Sequence, residues 1–173
     1  MNYDEALLAY IQVAVAFAGF SALVTAFQRQ TADRNPHLAV RLRGMVEVAL
    51  LVALFSILPL SIRKFPVLDE TVWRFCSGLL TVAWSTVFLL TMSRARRAER
   101  AGFRMGSAPY VYFLYSIAAT SAGSLAANAL GVFTSVSGAV YLSNLGVLLF
   151  VSGVWFIRLI AGIVPSDPPS DGD

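Results

Sequence analysis

The sequence predicts an all-α integral membrane protein, a bundle of about five transmembrane helices, two of them with cytosolic extensions. Three observations predict this. Of 173 residues, 57% are hydrophobic and only 13% charged, with a mean hydropathy of +0.69, whereas a soluble domain carries about a quarter charged residues. The apolar residues fall in runs long enough to cross a bilayer. The charges gather in short stretches between those runs. Such runs would aggregate in water, so hydrocarbon is the solvent in which the polar groups must be accounted for.

The opening MNYDEALLAY is acidic at Asp4 and Glu5, unlike the basic start of a secretory signal. The first apolar run therefore reads as a retained span, about 6–27. Ala14, Ala18, Ala22 and Ala26 recur every four residues beside Gly19, and small residues let helices approach closely in lipid. Gln12 is the strongly polar residue of this span, a pore or ligand contact or, more simply, an interhelical hydrogen bond.

Asn35-Pro36 starts the second helix, since proline fits a first turn and asparagine caps one. It is expected over 36–62, about 40 Å at 1.5 Å per residue, longer than a bilayer core of about 30 Å. Its first turns, with His37, Arg41 and Arg43, should project into the cytosol, and Pro59 should kink its far end.

Asp69 is an expected N-cap for a third helix over 70–100, with Glu70 suited to the positive helix end and Trp73 placed as an interfacial anchor. Its last turns, SRARRAER, project again. The fourth span, 108–130, is capped by Ser107 and begins with an aromatic belt of Tyr110, Tyr112, Phe113 and Tyr115. A turn, GVFTSVSG, leads to a fifth span over 139–163. The acidic, proline-rich tail 165–173 is expected to be disordered.

Orientation follows from the basic residues. Ten of the thirteen fall on one side: Arg29, Arg34, Arg41, Arg43, Arg94, Arg96, Arg97, Arg100, Arg104 and Arg158. The positive-inside rule then places the chain in the cell (inner) membrane with the N-terminus outside and the C-terminus cytoplasmic.

The span over 108–130 carries the most distinctive pattern. Ser116, Thr120, Ser124 and Asn128 follow one another at four-residue steps. Each step overshoots a 3.6-residue turn by about 40°, so the stripe winds through about 120° rather than running straight. Ala119, Gly123 and Ala127 flank it. Hydroxyls beside small residues suit a tight packing seam and a narrow pore equally. The pore-lining candidates are Ser116, Thr120, Ser124, Asn128 and Asn144, the last facing Asn128 across the turn. Ser77, Thr81 and Ser85 echo the stripe on the third span.

Glu47 is a carboxylate about one turn inside the second span, a functional candidate by default in a membrane. Arg43, four residues before it, can pair with it. The two read as a salt bridge that sets helix depth or, with Arg41 and His37, as an ion or proton site at a cytoplasmic mouth. Arg94, Arg96, Arg97, Arg100 and Arg104 form a cluster for anionic lipid headgroups or for drawing in anions. Nucleic acid is not expected, because no aromatic residues are interleaved there.

No enzyme is expected. No nucleotide-binding, zinc-protease or serine-hydrolase motif is present, and one histidine and one cysteine, Cys76, supply no multi-ligand metal or cofactor site. The small five-span build is similar in a general way to small prokaryotic membrane proteins that oligomerise. Its expected function is a homo-oligomeric ion channel or pore of weak selectivity. The alternatives are a non-conducting scaffold or accessory subunit binding partner helices, and a small-solute carrier.

Overall fold

The computed structural model describes residues 3–28, 36–66, 68–100 and 108–161; within these, the side chains at 21, 24–28, 36–42, 95, 98–99, 108–111 and 158–161 lie outside the description. The described residues are helical apart from short turns and include no strand. Five helices follow in order: α1 (Tyr3–Gln28), α2 (Pro36–Ile62), α3 (Asp69–Arg100), α4 (Ala108–Ala129) and α5 (Ser137–Ala161). One 3-10 turn, Thr134–Val136, precedes α5. The expected caps at Asn35 and Ser107, together with Arg29, Arg34, Arg104 and the tail 165–173, lie outside the described residues.

Four helices, α1, α2, α3 and α5, are long and apolar enough to cross a membrane. At 22 residues α4 also has the length, but its serines, Thr120 and Asn128 dilute its apolar character. Large apolar side chains stand exposed on every helix, among them Leu8, Leu54, Val82, Phe113 and Phe150.

The helix α5 is central and packs against all four others, while α2 also contacts α1 and α3, and α4 packs on α3. Leu7, Leu80, Leu125, Tyr141, Leu145 and Leu148 are fully buried where these helices meet. Asn128 near the end of α4 meets Ser137 at the start of α5, and Ser121 and Ser124 meet Asn144 one to two turns further along. The two helices therefore run antiparallel, side by side.

One backbone defect shapes the centre. Pro59 has no N–H, so the carbonyl of Phe55, four residues earlier, loses its helical donor. The helix nevertheless continues to Ile62, because the hydroxyl of Tyr141 donates to that carbonyl from α5. A second close contact lies toward the other end: a Cβ on Gly44 would meet Trp155 Cζ3 at 2.1 Å, so α2 and α5 require the missing side chain to approach.

The α4–α5 turn is built on Gly131, whose φ of 84° an L side chain rarely adopts. Val132 N–H donates to Ala127 O and Gly131 N–H to Asn128 O, both at 3.0 Å, the paired bonds of a Schellman cap. Arg74 Nε reaches the Ala129 carbonyl at 3.4 Å.

Two expectations are corrected at the α2–α3 corner. Asp69 does not cap α3: Val72 N–H bonds the carbonyl of Leu68, and the Asp69 carboxylate accepts from Arg63 at 3.0 and 3.3 Å. Arg63 also donates to Asp4 at 2.6 Å and stands 5.8 Å from the Trp73 ring centre, so one guanidinium joins the starts of α1 and α3. Trp73 is not an interfacial anchor. It is 4% exposed, held between Tyr3 and Tyr141 at ring separations of 5.5 and 5.6 Å.

The account of Pro59 has a testable consequence. Tyr141→Phe should lower unfolding stability in detergent by about 1–2 kcal/mol, the scale of an interhelical hydrogen bond in a membrane bundle. In a Pro59→Ala background, where the alanine restores the backbone donor, the same change should cost clearly less. Equal losses in both backgrounds, read from thermal melts, would refute the assignment.

Candidate functional site

The polar stripe of α4 divides in two because it winds. Ser116 and Thr120 are exposed, Ser124 is half-buried and Asn128 is fully buried. Ser116 returns its hydroxyl to its own helix, at Phe113 O. Thr120 makes no hydrogen bond among the described residues.

The inner half forms a packing seam. Asn144 Oδ1 accepts from Ser121 at 2.7 Å and from Ser124 at 3.0 Å, while its amide donates to Val140 O at 2.8 Å. Asn128 Nδ2 donates to Ser77 Oγ at 2.8 Å and to Ser137 O at 3.0 Å. One amide thus joins α3, α4 and α5. The expected meeting of Asn128 with Asn144 does not occur, because each amide finds hydroxyl or backbone partners closer at hand. Of the echo on α3, Ser77 enters the seam, Thr81 bonds its own backbone at Ser77 O, and Ser85 is half-buried.

The outer half borders a groove of about 580 Å³ between α4 and α5. Ser116, Thr120 and Ser143 supply hydroxyls, and Ile117, Val140 and Val147 supply its apolar wall. The groove opens outward and does not run through the bundle, whose centre is filled by Leu80, Leu125 and Tyr141.

Glu47 sits in a charge cluster that sequence spacing revealed only in part. Arg43 Nε donates to its Oε1 at 2.8 Å, as the four-residue spacing predicts. Arg94, from α3, donates to both carboxylate oxygens at 3.0 and 2.9 Å. Glu47 and Arg94 are 26% and 27% exposed, against 66% for Arg43. The main pairing is therefore the one between helices, and it joins the N-terminal part of α2 to the C-terminal part of α3. Arg94 is engaged here, while Arg96, Arg97 and Arg100 are exposed. The side chains of His37 and Arg41 lie outside the described residues, as does Arg104.

The outward direction of Gln12 was not legible from the sequence. It lies near the middle of α1 but is exposed, and no hydrogen bond is formed by it among the described residues. Ala9, Ala16 and Gly19 share its exposed side, and α1 meets the bundle through Leu7 and Ala14. The interhelical bond expected for Gln12 is therefore not made among the described residues.

Compared with known protein families, curated proteins and solved structures, the chain matches none.

Substitutions should separate the two halves of the stripe. Asn144→Leu removes the acceptor of one buried and one half-buried hydroxyl and should destabilise by about 1–3 kcal/mol, whereas Thr120→Leu on the groove should stay within about 0.5 kcal/mol. At the charged end, Arg94→Ala should cost more stability than Arg43→Ala, because only Arg94 binds both carboxylate oxygens and crosses between helices. Chemical or thermal unfolding in micelles reads all four, and a reversed order within either pair would contradict the assignments.

Proposed function

We propose that this chain is a non-enzymatic, multi-pass membrane protein that acts as a homo-oligomeric, non-conducting scaffold, its copies meeting on the outer face of α1. Gln12 carries this reading. A serine or threonine facing lipid can return its hydroxyl to its own helix, as Ser116 does, but a glutamine amide has two donors and an acceptor to satisfy. Unsatisfied amides in hydrocarbon cost several kcal/mol. A second copy of α1 supplies a complementary amide, because glutamine is both donor and acceptor. Ala9, Ala16 and Gly19 on the same side permit the close approach that bond needs. Against conduction, Asn128 Nδ2 and Asn144 Oδ1, two of the polar groups in the bundle's interior, are engaged in bonds between its own helices.

In this reading α4 crosses as a fifth span beside α3, joined to it at Asn128–Ser77 and Trp84–Ala118 O. The chain sits in the inner membrane with its N-terminus outside and its C-terminus cytoplasmic, and Arg96, Arg97 and Arg100 meet anionic headgroups on the cytoplasmic side.

A second reading, a weakly selective pore, draws on the α4–α5 groove. Copies arranged with that face toward an axis would line it with Ser116, Thr120 and Ser143.

Light scattering on the detergent-solubilised protein should give a multiple of 18.7 kDa that falls to one chain in Gln12→Leu, and planar bilayers holding the wild type should carry no current. A monomeric wild type, or an oligomer indifferent to Gln12→Leu, would remove the scaffold reading. A current abolished by Thr120→Leu would establish the pore instead.

A further inference from the structure

A second groove, about 430 Å³, runs along α3 beside the end of α4, lined by Thr71, Arg74, Phe75, Leu79 and Val82 of α3 and by Ala129 of α4. Its polar and apolar parts are separated along the helix. Thr71 and Arg74 stand at the end of the bundle where Arg63 gathers Asp4 and Asp69. Phe75, Leu79 and Val82 continue from them toward the middle of α3, and from Arg74 to Val82 is about 12 Å at 1.5 Å per residue. Phe75, Leu79 and Val82 are 56%, 41% and 67% exposed, so the described residues leave the trough uncovered.

Arg74 is only partly engaged. Its Nε reaches Ala129 O at 3.4 Å, and Glu70 stands 3.7 Å from Nη1, too far for a hydrogen bond. A guanidinium carries five N–H donors, so several remain for another acceptor, and its side chain is 41% exposed. Thr71, one turn earlier, adds a hydroxyl with no partner among the described residues. A cation and a hydroxyl at the rim, with an apolar trough about 12 Å long beneath, match one class of ligand. Its head carries an anionic phosphate and a glycerol oxygen, and its tail is hydrocarbon.

We propose that the α3–α4 groove binds one anionic glycerophospholipid, with its phosphate on Arg74 and Thr71 and an acyl chain along Phe75, Leu79 and Val82. This is a site apart from the arginines at the opposite end of the bundle and does not depend on the scaffold reading. Glu70 competes for Arg74 and tunes the site: bound phosphate displaces it, and removing its charge strengthens binding.

Native mass spectrometry of the detergent-purified protein tests this, with phosphatidylglycerol and phosphatidylcholine of identical acyl chains as probes. The wild type should retain one phosphatidylglycerol in preference to phosphatidylcholine. Arg74→Ala should lower phosphatidylglycerol retention about fivefold, the effect of one basic residue at a charged surface. Glu70→Gln should raise it. Because Arg74→Ala also removes a contact to the end of α4, Val82→Trp provides an independent test: it fills the trough, leaves the arginine in place and should lower retention of both lipids. Glycerol 3-phosphate alone should not displace the bound lipid. The proposal is overturned if Arg74→Ala and Val82→Trp retain phosphatidylglycerol as the wild type does. Loss with Arg96→Ala and Arg97→Ala but not with Arg74→Ala overturns it too, as does displacement by glycerol 3-phosphate.

Discussion

The bond from Tyr141 to the carbonyl of Phe55 holds the central helix to α2 where Pro59 has removed a backbone donor. It shows in one contact a rule that much of the bundle follows, although Ser56 Oγ, Thr91 Oγ1, Asn128 Oδ1 and Ser137 Oγ are buried with no partner among the described residues. A polar group within an apolar span has no water to turn to, so a neighbouring helix must supply its partner. Ser152 reaches the carbonyl of Met45, and Trp84 that of Ala118. Asn128 and Asn144 complete the pattern among α3, α4 and α5. Dispersion contacts among Leu80, Leu125, Leu145 and Leu148 fill the space between helices, but they do not by themselves choose one register over another. The directional bonds do that, and α5 takes part in most of them.

Charge performs the same task at the two ends. At one, Arg63 gathers Asp4 and Asp69 and lies against Trp73, fixing the start of α1 to the α2–α3 corner. At the other, Glu47 holds Arg94 and Arg43. These clusters are partly exposed, so each is of modest value as a source of stability. Their more important effect is geometric: they set how far α1, α2 and α3 can slide past one another. The carboxylate of Glu47, which in isolation looks like an ion site, is occupied by two guanidinium groups and serves as a clasp between helices.

Much of the fold was legible because local chemistry marks helix ends: Pro36 opens α2, Gly131 closes α4, and the α2 and α3 bounds agree with expectation within a residue. The winding of the α4 stripe was also legible from the mismatch between a four-residue step and a 3.6-residue turn. It explains why Ser116 faces out while Asn128 faces in. The errors arose where a partner came from outside the helix in question. Asp69 has the chemistry of a cap, but Arg63 takes its carboxylate. Trp73 has the sequence position of an anchor, but Tyr3 and Tyr141 enclose it. Arg94 belongs in sequence to a basic run, yet it turns toward Glu47, 47 positions away. No spacing within one helix reports such pairings. A trace of the Tyr141 bond was available, since a proline inside a span orphans a known carbonyl and so calls for a donor elsewhere.

The outer surface follows from the same rule applied in reverse. Where a polar side chain faces outward from a span without a partner, it asks for one from another molecule, and Gln12 makes the strongest such demand. The most direct measurement is disulfide crosslinking in native membranes. Cys76 is buried, so a single new cysteine on an exposed face reports alone. Ala9→Cys and Ala16→Cys, each about one turn from Gln12, should give a crosslinked dimer on mild oxidation, while Thr120→Cys in the α4–α5 groove should not. Crosslinking at position 120 with none at 9 or 16 would contradict the account and move the contact between copies to the groove.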